Sequence, residues 1–331
     1  MTQPCDADPK RALPRRRVLG ALAGAALAGT ATAQTKPVRI VVAFSPGGPV
    51  DAVARMLADT LGHELGRTVV VDNKPGGNGA IAAQDVARAE PDGQTVWLTS
   101  VGAAAINAAL YDKLPYDMTR DFAPVSLVAN NVELLVANAG DAARDAAEFV
   151  AQARRRPAAT VAMGSTGIGS IPHLAIEQLG DATDVKFLHV PYKGAAPAIT
   201  DLIGGQIQGF FGDVPGLIGH VKGGKLKALG MAAPARHPAL PDVKTLDEQG
   251  ITGVDTNNWY AFFVGAKTPP AAIDALAKAL HRTLATPGVR ERMLQAGTEP
   301  APSSAAELAA LMKRDSDKWA RLIKAKHIKA E

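Results

Sequence analysis

The sequence has 331 residues, of which 36 are Lys or Arg and 32 are Asp or Glu, and its formal net charge is +4. Residues 1–33 hold five of the basic and two of the acidic residues, so the remainder carries 31 basic and 30 acidic residues and a net charge of +1. This balance argues against a nucleic-acid surface, and the length is enough to bury a full core and to form two domains.

Residues 1–33 have the layout of a signal peptide. Arg15, Arg16 and Arg17 precede an apolar run at 18–29, and Ala31-Thr32-Ala33 supplies an A-x-A cleavage signal. The apolar run is too short to span a bilayer. We therefore predict export to the periplasm. The general secretory route and, because of the arginines directly before the apolar run, the twin-arginine route are both open.

Cys5 is the only cysteine, and it lies before the basic segment. The mature chain is then expected to contain no cysteine, which excludes disulfides, thiol nucleophiles and cysteine metal sites. No later segment approaches 18 uncharged apolar residues, so we predict a soluble mature protein.

The mature chain begins with alternating strand-like and helix-like segments. Short apolar stretches predict strands at 38–44, 68–72 and 95–99, and apolar residues at helical spacing predict helices at 51–66 and 80–88. This β-α-β-α-β order implies a parallel sheet with helices on its faces.

The same alternation returns after a long apolar stretch at 125–137. Strands are expected at 160–163, 187–190, 209–212 and 227–232, and helices at 148–156, 171–179, 196–203 and 214–221. The chain therefore predicts two similar α/β units in succession.

The last third of the chain begins with a second extended apolar stretch at 259–265, and helices are predicted at 270–285, 288–296 and 304–325. Three helices without a strand cannot form a sheet domain of their own. We expect them to pack on the first unit, which requires the chain to cross between the units twice.

The predicted fold class is therefore α/β with two domains and a hinge made by the two crossings. Domain 1 comprises 34–129 and 262–331, and domain 2 comprises 130–261. Ligands of open α/β sheets bind at the carboxyl ends of the strands, and a cleft between the domains would bring both sets of ends face to face.

A glycine-rich turn follows the first predicted strand. Ser45, Pro46, Gly47 and Gly48 separate this strand from a helix that has Asp51 in its first turn. Glycines leave the backbone N–H groups uncovered, and the start of a helix attracts negative charge. The turn is a candidate anion site. The alternative is that its glycines only make a tight connection.

A second glycine loop occupies the equivalent place in the second unit. It consists of Gly164, Ser165, Thr166, Gly167, Ile168 and Gly169. Small residues again expose N–H groups, and the hydroxyl groups add hydrogen-bond donors. Two anion-accepting loops that face each other suit a dicarboxylate, or a carboxylate with a second polar end.

The remaining candidates are weaker. Ser100 and Ala103 follow the third strand and would add contacts in the cleft, unless this segment is a helix start packed on the sheet. Asp213 would either face the cleft or cap the next helix. We interpret His173, which follows the second loop, as a structural histidine, and Tyr260 as a packing residue.

Signs of catalysis are missing. The pattern G-x-S-x-G does not occur, no G-K-[ST] follows a glycine loop, and the second loop reads G-x-x-G-x-G rather than G-x-G-x-x-G. The seven histidines are scattered, with no H-x-H or H-x-x-x-H pair. We therefore predict no catalytic residue, no metal site and no cofactor.

Several longer segments together resemble one protein family. They include "PGGPVDAVAR" at 46–55, "VDNKPGGNGAIAAQDVARAEPDGQT" at 71–95, "HVPYKGAAPAITDLIGGQIQGFFGD" at 189–213 and "WYAFFVGAKTP" at 259–269. Through them the chain resembles, over essentially its whole mature length, the periplasmic solute-binding receptors of the tripartite tricarboxylate transporter system, also called Bug proteins.

The resemblance implies a type II Venus-flytrap fold that captures a small carboxylic acid between its domains. The contacts would come from both glycine loops, largely through backbone amides, and from Asp51 and Asp213. The expected ligand is a dicarboxylate, an amino acid or an aromatic acid. The expected protein partner of the monomeric receptor is the permease of a tripartite transporter, and the alternative is a sensor kinase.

The chain also departs from the family pattern. The family often has an aromatic residue or proline at Ser45 and an asparagine near Ile168, and "SIPHLA" at 170–175 replaces a more polar run. A branched apolar residue in the second loop favours a less polar or aromatic acid over citrate or an amino acid.

Overall fold

The computed structural model describes residues 36–330, so Cys5 and the predicted signal peptide at 1–33 lie outside the described residues. The strands are β1 (Val38–Val42), β2 (Val69–Asn73), β3 (Thr95–Ser100), β4 (Phe122–Asn138), β5 (Ala162–Ser165), β6 (Leu188–Pro191), β7 (Gly209–Asp213), β8 (Leu226–Met231), β9 (Asn257–Gly265) and β10 (Glu299–Pro300). All strands predicted from the sequence are present, with ends shifted by a few residues. The two-residue strand β10 is an addition.

The helices also match the predicted segments. They are α1 (Pro49–Leu65), α2 (Ala80–Ala87), α3 (Asn107–Leu110), α4 (Met118–Asp121), α5 (Ala146–Arg154), α6 (Ile171–Thr183), α7 (Ala195–Ile203), α8 (Val214–Lys222), α9 (Pro270–Ala285), α10 (Pro287–Gln295) and α11 (Ala305–Ala325). The one-turn helices α3 and α4 were not predicted, because a single turn carries no detectable periodicity.

Two sheets with the same strand order make up the fold. The first has the order β2-β1-β3-β9-β4, with β10 on the outer edge of β4, and the second has the order β6-β5-β7-β4-β8. In both sheets the strand next to the third one arrives from the other unit: β9 in the first sheet and β4 in the second. The prediction of two similar α/β units is confirmed.

Strand β4 belongs to both sheets. Its residues 122–132 pair with β9 in the first sheet, and its residues 133–138 pair with β7 and β8 in the second. The first predicted crossing is thus one continuous strand, and the proposed domain boundary at 129/130 falls inside it. The division of the chain into domains at that residue stays a prediction.

The strand directions bring the carboxyl ends of the two sheets toward each other. Strands β1, β2 and β3 are parallel to one another. Strands β3 and β4 are both antiparallel to β9, so β4 runs in the same direction as β3 and continues into the second sheet. There β7 is antiparallel to β4, and β5 and β6 are parallel to β7. The loops after β1, β3, β5 and β7 therefore all lie at the junction between the sheets.

Helices cover both faces of both sheets. On the first sheet, one apolar cluster contains residues of α1, α9 and α10, and another contains residues of α2, α3, the segment 102–106 and α11. The expectation that the last three long helices pack on the first unit is confirmed. Helices α5 and α6 cover one face of the second sheet, and α7 and α8 cover the other.

Candidate functional site

The first glycine loop lies open at the carboxyl end of β1. Ser45, Pro46 and Gly47 are exposed and Gly48 is half-buried. Gly47 has φ +82°, which only glycine adopts without strain. Pro49 begins α1, where its missing N–H group costs no hydrogen bond. The turn thus follows the strand and leads into the helix as predicted, but the N–H groups of its glycines, which were expected to be uncovered, are both bonded to protein atoms.

Asp51 holds this loop in place. It is 2% exposed, and its Oδ2 accepts hydrogen bonds from the N–H of Gly47 and the Nε of Arg55, both at 2.9 Å. Its Oδ1 accepts from Nδ2 of Asn73 at 2.9 Å, and the same Asn73 amide reaches the carbonyl of Phe44. Burial acts to raise the pKa of Asp51, but these hydrogen bonds and the Arg55 charge lower it overall. Asp51 is therefore an ionised anchor of the turn.

The second glycine loop is shorter than the sequence predicted, because β5 extends to residue 165. Gly164 and Ser165 lie in the strand and are buried, whereas Thr166, Gly167 and Ile168 are half-buried. A Cβ at Gly164 would lie 2.6 Å from Ile207 Cδ1, so this glycine permits close packing inside the second sheet.

Two histidines lie directly behind this loop. His189 Nε2 forms a 2.6 Å hydrogen bond with Ser165 Oγ, and His173 Nδ1 accepts the N–H of Gly169 at 3.0 Å. Burial and the neighbouring His173 lower the pKa of His189 to about 4. His173 has a structural role, as predicted. His189 was missed because it lies 24 residues from Ser165 and the two meet only across strands β5 and β6.

Several backbone N–H groups in the loop regions, among them that of Ser45, have no acceptor among the described residues. Others belong to Thr166 and Ile168 in the second loop and to Val50 and Asp51 at the start of α1. The N–H groups of Gly47, Gly167 and Gly169 are already bonded to protein atoms. The capacity to hold an anion therefore lies in N–H groups next to the glycines.

The segment after β3 is less accessible than its sequence suggested. Ala103 is buried, and its carbonyl accepts the hydroxyl of Tyr116 at 2.6 Å. Ser100 is 8% exposed and lies opposite Tyr260 in the β3–β9 pair. The position of Ala103 is that of a residue packed against the sheet, which was one of the two alternatives; the other was a contact in the cleft. Ser100 points to the same face as Tyr260.

Asp213 lies at the end of β7, which is the position equivalent to Ser100 in the second sheet. It is partly exposed, and its Oδ2 accepts the hydroxyl of Tyr260 at 2.6 Å and Nδ2 of Asn258 at 3.4 Å. Asp213 occupies the N-cap position of α8, as the capping alternative expected, but its side chain makes no capping bond to that helix. Tyr260 is packed as predicted, at 2% exposure, but it also joins β9 to β7.

Glu133 is a buried acid that sequence reasoning missed. It is 0% exposed and lies directly opposite Asp213 in the β4–β7 pair. Its Oε1 accepts Nδ2 of Asn258 at 3.3 Å, and its Oε2 has no partner in the described chain. Burial, and then the nearby Asp213, raise the pKa of Glu133 well above its usual range. Burial also raises the pKa of Asp213, although Tyr260 opposes this effect. The feature of the sequence that could have identified this buried acid is a glutamate within the apolar run 132–137.

Close contacts at this junction join elements of the first sheet to elements of the second. A Cβ on Gly169 would lie 2.3 Å from Leu110 Cδ2, so the second glycine loop touches the end of α3. Next to β7, Gly297 lies between α10 and β10, and a Cβ on it would lie 2.9 Å from Val214 Cγ1 at the start of α8. The second loop is thus adjacent to the segment that follows β3.

A cavity of about 270 Å³ lies apart from the glycine loops, between β4, the segment after β8 and α11. Its basic side chains already have acidic partners: Lys318 pairs with Asp255 at 2.9 Å, and Arg236 pairs with Glu248 at 2.9 Å. None of the residues predicted for the site lines this cavity.

The described residues contain neither a metal-binding cluster nor a membrane-spanning helix. Between residues 36 and 330 no group of three or more His, Cys, Asp or Glu side chains is placed to hold a metal ion. Within the same range, no helix combines the length and the apolar character that a membrane crossing requires.

Residues 53–328 match the sequence profile of the tripartite tricarboxylate transporter family receptor. The chain is 34% identical over 316 residues to a protein from Pseudomonas sp. (strain P51) encoded in the tcbD–tcbE intergenic region, covering 93% of this chain and 94% of the relative. The solved structure of the periplasmic binding protein BugD has a TM-score of 0.80 and 34% identity, covering 89% of this chain and 99% of BugD. The R. palustris protein Rpa4515, solved with adipate, has a TM-score of 0.83 and 29% identity over 89% of this chain and 99% of its own.

The chain therefore belongs to the receptor family of the tripartite tricarboxylate transporter. It has the two-domain α/β fold of periplasmic solute-binding proteins. The family consists of periplasmic receptors for small carboxylates that serve transport, and it is not a family of enzymes.

Proposed function

We propose that this protein captures a small carboxylated solute between its two sheets and delivers it to the permease of a tripartite transporter. The observation that carries the proposal is the pair of glycine loops at the facing carboxyl ends of β1 and β5. Each loop region has N–H groups without an acceptor in the described chain: those of Ser45, Val50 and Asp51 in one, and those of Thr166 and Ile168 in the other.

The carboxylate would be held mainly by backbone groups. An anion at the start of α1 gains both hydrogen bonds and the favourable helix dipole. Asp51 supports this arrangement because it fixes the turn while its own charge is compensated by Arg55. Hydrogen bonds to a charged carboxylate are shorter and stronger than those between neutral groups. The contact set proposed is Ser45, Pro46, Gly47, Gly48 and Asp51 with Thr166, Gly167, Ile168 and Asp213, supported from behind by Ser100, Ala103, Gly164, Ser165 and Gly169.

Closure about β4 and β9 would complete the site. These are the only strand crossings in the described chain that link residues 34–129 and 262–331 to residues 130–261, which we propose as the two domains. Closure would remove water from the carboxylate, and this strengthens its interactions with the loops. The closed form would then be the one recognised by the permease.

The bound solute can be identified directly. The chain is produced with its residues 1–33, purified from the periplasm without added ligand, and denatured, and the released small molecules are identified by mass spectrometry. We expect a stoichiometric carboxylic acid. If nothing is released, the refolded protein is screened against carboxylic acids by thermal melting, since a ligand specific for the folded state raises the melting temperature. The absence of any shift across that screen would contradict the proposal.

A matched pair of variants locates the site. Ile168→Pro removes one of the free N–H groups, whereas Ile168→Val keeps it and changes only the side chain. We expect the proline variant to lose at least tenfold in affinity for the identified acid, and the valine variant to lose little. Equal losses would assign the contact to the side chain of residue 168.

A further inference from the structure

The inner wall of the junction contains two acids that have no basic partner in the described chain. Asp213 and Glu133 face each other across β7 and β4, and neither forms an ion pair with a Lys, Arg or His among the described residues. Asn131 lies two residues before Glu133, on the same face of β4. It donates its Nδ2 to the carbonyl of Asn258, and its fully buried Oδ1 has no partner in the described chain.

Exposure separates the two acids. Asp213 is partly exposed and accepts the Tyr260 hydroxyl at 2.6 Å, a bond that favours its carboxylate form. Glu133 is completely buried beside that charge, and a second charge there would be opposed by both desolvation and repulsion. One negative charge therefore remains, on the partly exposed Asp213. Its side-chain bonds all end on Oδ2, which leaves Oδ1 without a side-chain donor.

The register of the strands places this charge at the site proposed above. Tyr260 lies opposite Ser100 at the carboxyl end of β3, and it reaches Asp213 at the carboxyl end of β7. A solute whose carboxylate binds the glycine loops would thus present its other end to the partly exposed Asp213, whereas Asn131 and Glu133 are fully buried. The charge of Asp213 attracts a cationic donor and repels a second carboxylate.

We infer that the solute is an amino acid, whose ammonium group donates to Asp213 while its carboxylate binds the glycine loops. This inference rests on the proposed function. It differs from the expectation drawn from Ile168 alone, because the uncompensated charge of Asp213 selects for a cationic donor whatever the side chain of the solute. An apolar or aromatic side chain next to Ile168 is compatible with both features.

Matched acids with and without the amino group test the inference. Binding to the protein purified from the periplasm and stripped of its ligand is measured by calorimetry at pH 7. Three pairs are compared: L-aspartate with succinate, L-glutamate with glutarate, and L-phenylalanine with 3-phenylpropionate. We expect the amino member of at least one pair to bind tenfold or more tightly than its partner, as one charge-assisted hydrogen bond allows. In Asp213→Asn this preference should fall below about threefold.

The control is Asp317→Asn, which removes the same charge from the exposed surface of α11 and should keep the full preference. Equal or tighter binding of the acids without an amino group would overturn the inference and leave the receptor function standing. An undiminished preference in Asp213→Asn would also overturn it. If Asp213→Asn does not fold, the wild-type comparison of the pairs still decides. If no acid of any pair binds, the inference fails, and the proposed function fails with it only if the wider screen of carboxylic acids also gives no melting shift.

Discussion

The imidazole rings of His173 and His189 are stacked behind the second glycine loop, with their centroids 3.7 Å apart and their planes at 9°. His189 bonds to Ser165 at one end of the loop, and His173 accepts the N–H of Gly169 at the other. The nearest acid is Glu177, whose Oε1 lies 3.7 Å from His173 Nε2. The loop is therefore supported by a pair of rings that cannot both become charged without repulsion.

This pair predicts a loss of stability in mild acid. The pKa of His189 is lowered to about 4 in the folded protein by burial and by His173, whereas the unfolded chain titrates near 6.5. The neutral form of His189 makes its full contribution to the free energy of unfolding above pH 6.5. This contribution, roughly 3 kcal/mol at most, is lost as the pH falls toward 4. Urea unfolding between pH 4 and 8 measures it.

The variant His189→Gln can keep a hydrogen bond to Ser165 and does not titrate. Its free energy of unfolding should depend less on pH in this window than that of the wild type. Parallel pH curves for the two proteins would show that His189 is not responsible.

Glu133 has the opposite dependence on pH. Burial and Asp213 raise its pKa in the folded state. The protonated form therefore contributes to the free energy of unfolding below the unfolded pKa of about 4.3, and this contribution is lost as the pH rises. Glu133→Gln imitates the protonated acid. We expect the stability of this variant relative to the wild type to increase with pH above 4.3, by up to about 1.4 kcal/mol per pH unit.

The matched control for Glu133 is Glu291→Gln, at an exposed position of α10. It should leave the pH dependence of unfolding unchanged. A Glu133→Gln curve that runs parallel to the wild type would contradict the assignment of a neutral Glu133.

Asp51 should matter for both stability and binding. Asp51→Ala leaves the N–H of Gly47 without its acceptor and removes one of the two acceptors of the Asn73 amide, and we expect a loss of about 1–3 kcal/mol in the free energy of unfolding. Ligand affinity should fall as well, because the first glycine loop loses its anchor. Asp59→Ala, an exposed position on the same helix, should affect neither quantity.

Gly169 is required by both its conformation and its surroundings. It has φ +71°, and an added Cβ would meet Leu110 Cδ2 at 2.3 Å. Gly169→Ala should lower the free energy of unfolding by about 2 kcal/mol. Gly216→Ala in α8, where an added Cβ meets nothing within 4 Å, should be neutral or stabilising.

The double variant Gly169→Ala/Leu110→Ala separates the two causes. Removing the Leu110 side chain relieves the clash but not the backbone strain. We therefore expect the double variant to lose less free energy of unfolding than the sum of the two single losses. Full additivity of the single effects would show that Leu110 is not the source of the clash.

Processing at the predicted signal peptide can be tested by mass. Intact-mass measurement of the periplasmic protein should give a chain that begins at Gln34, after the A-x-A signal. A chain that retains the first 33 residues would contradict the prediction.

The sequence by itself determined the order of strands and helices, the two α/β units and the position of both glycine loops at strand ends. These features depend on periodicity and on glycine and proline, which act over a few neighbouring residues. Only the tertiary structure showed that β4 runs through both sheets, that β5 continues through Gly164 and Ser165, and that Glu133 lies opposite Asp213. His189 reaches Ser165 and Tyr260 reaches Asp213 across separate strands, through strand pairings that no local pattern encodes, because burial and partner choice follow from how the whole chain folds.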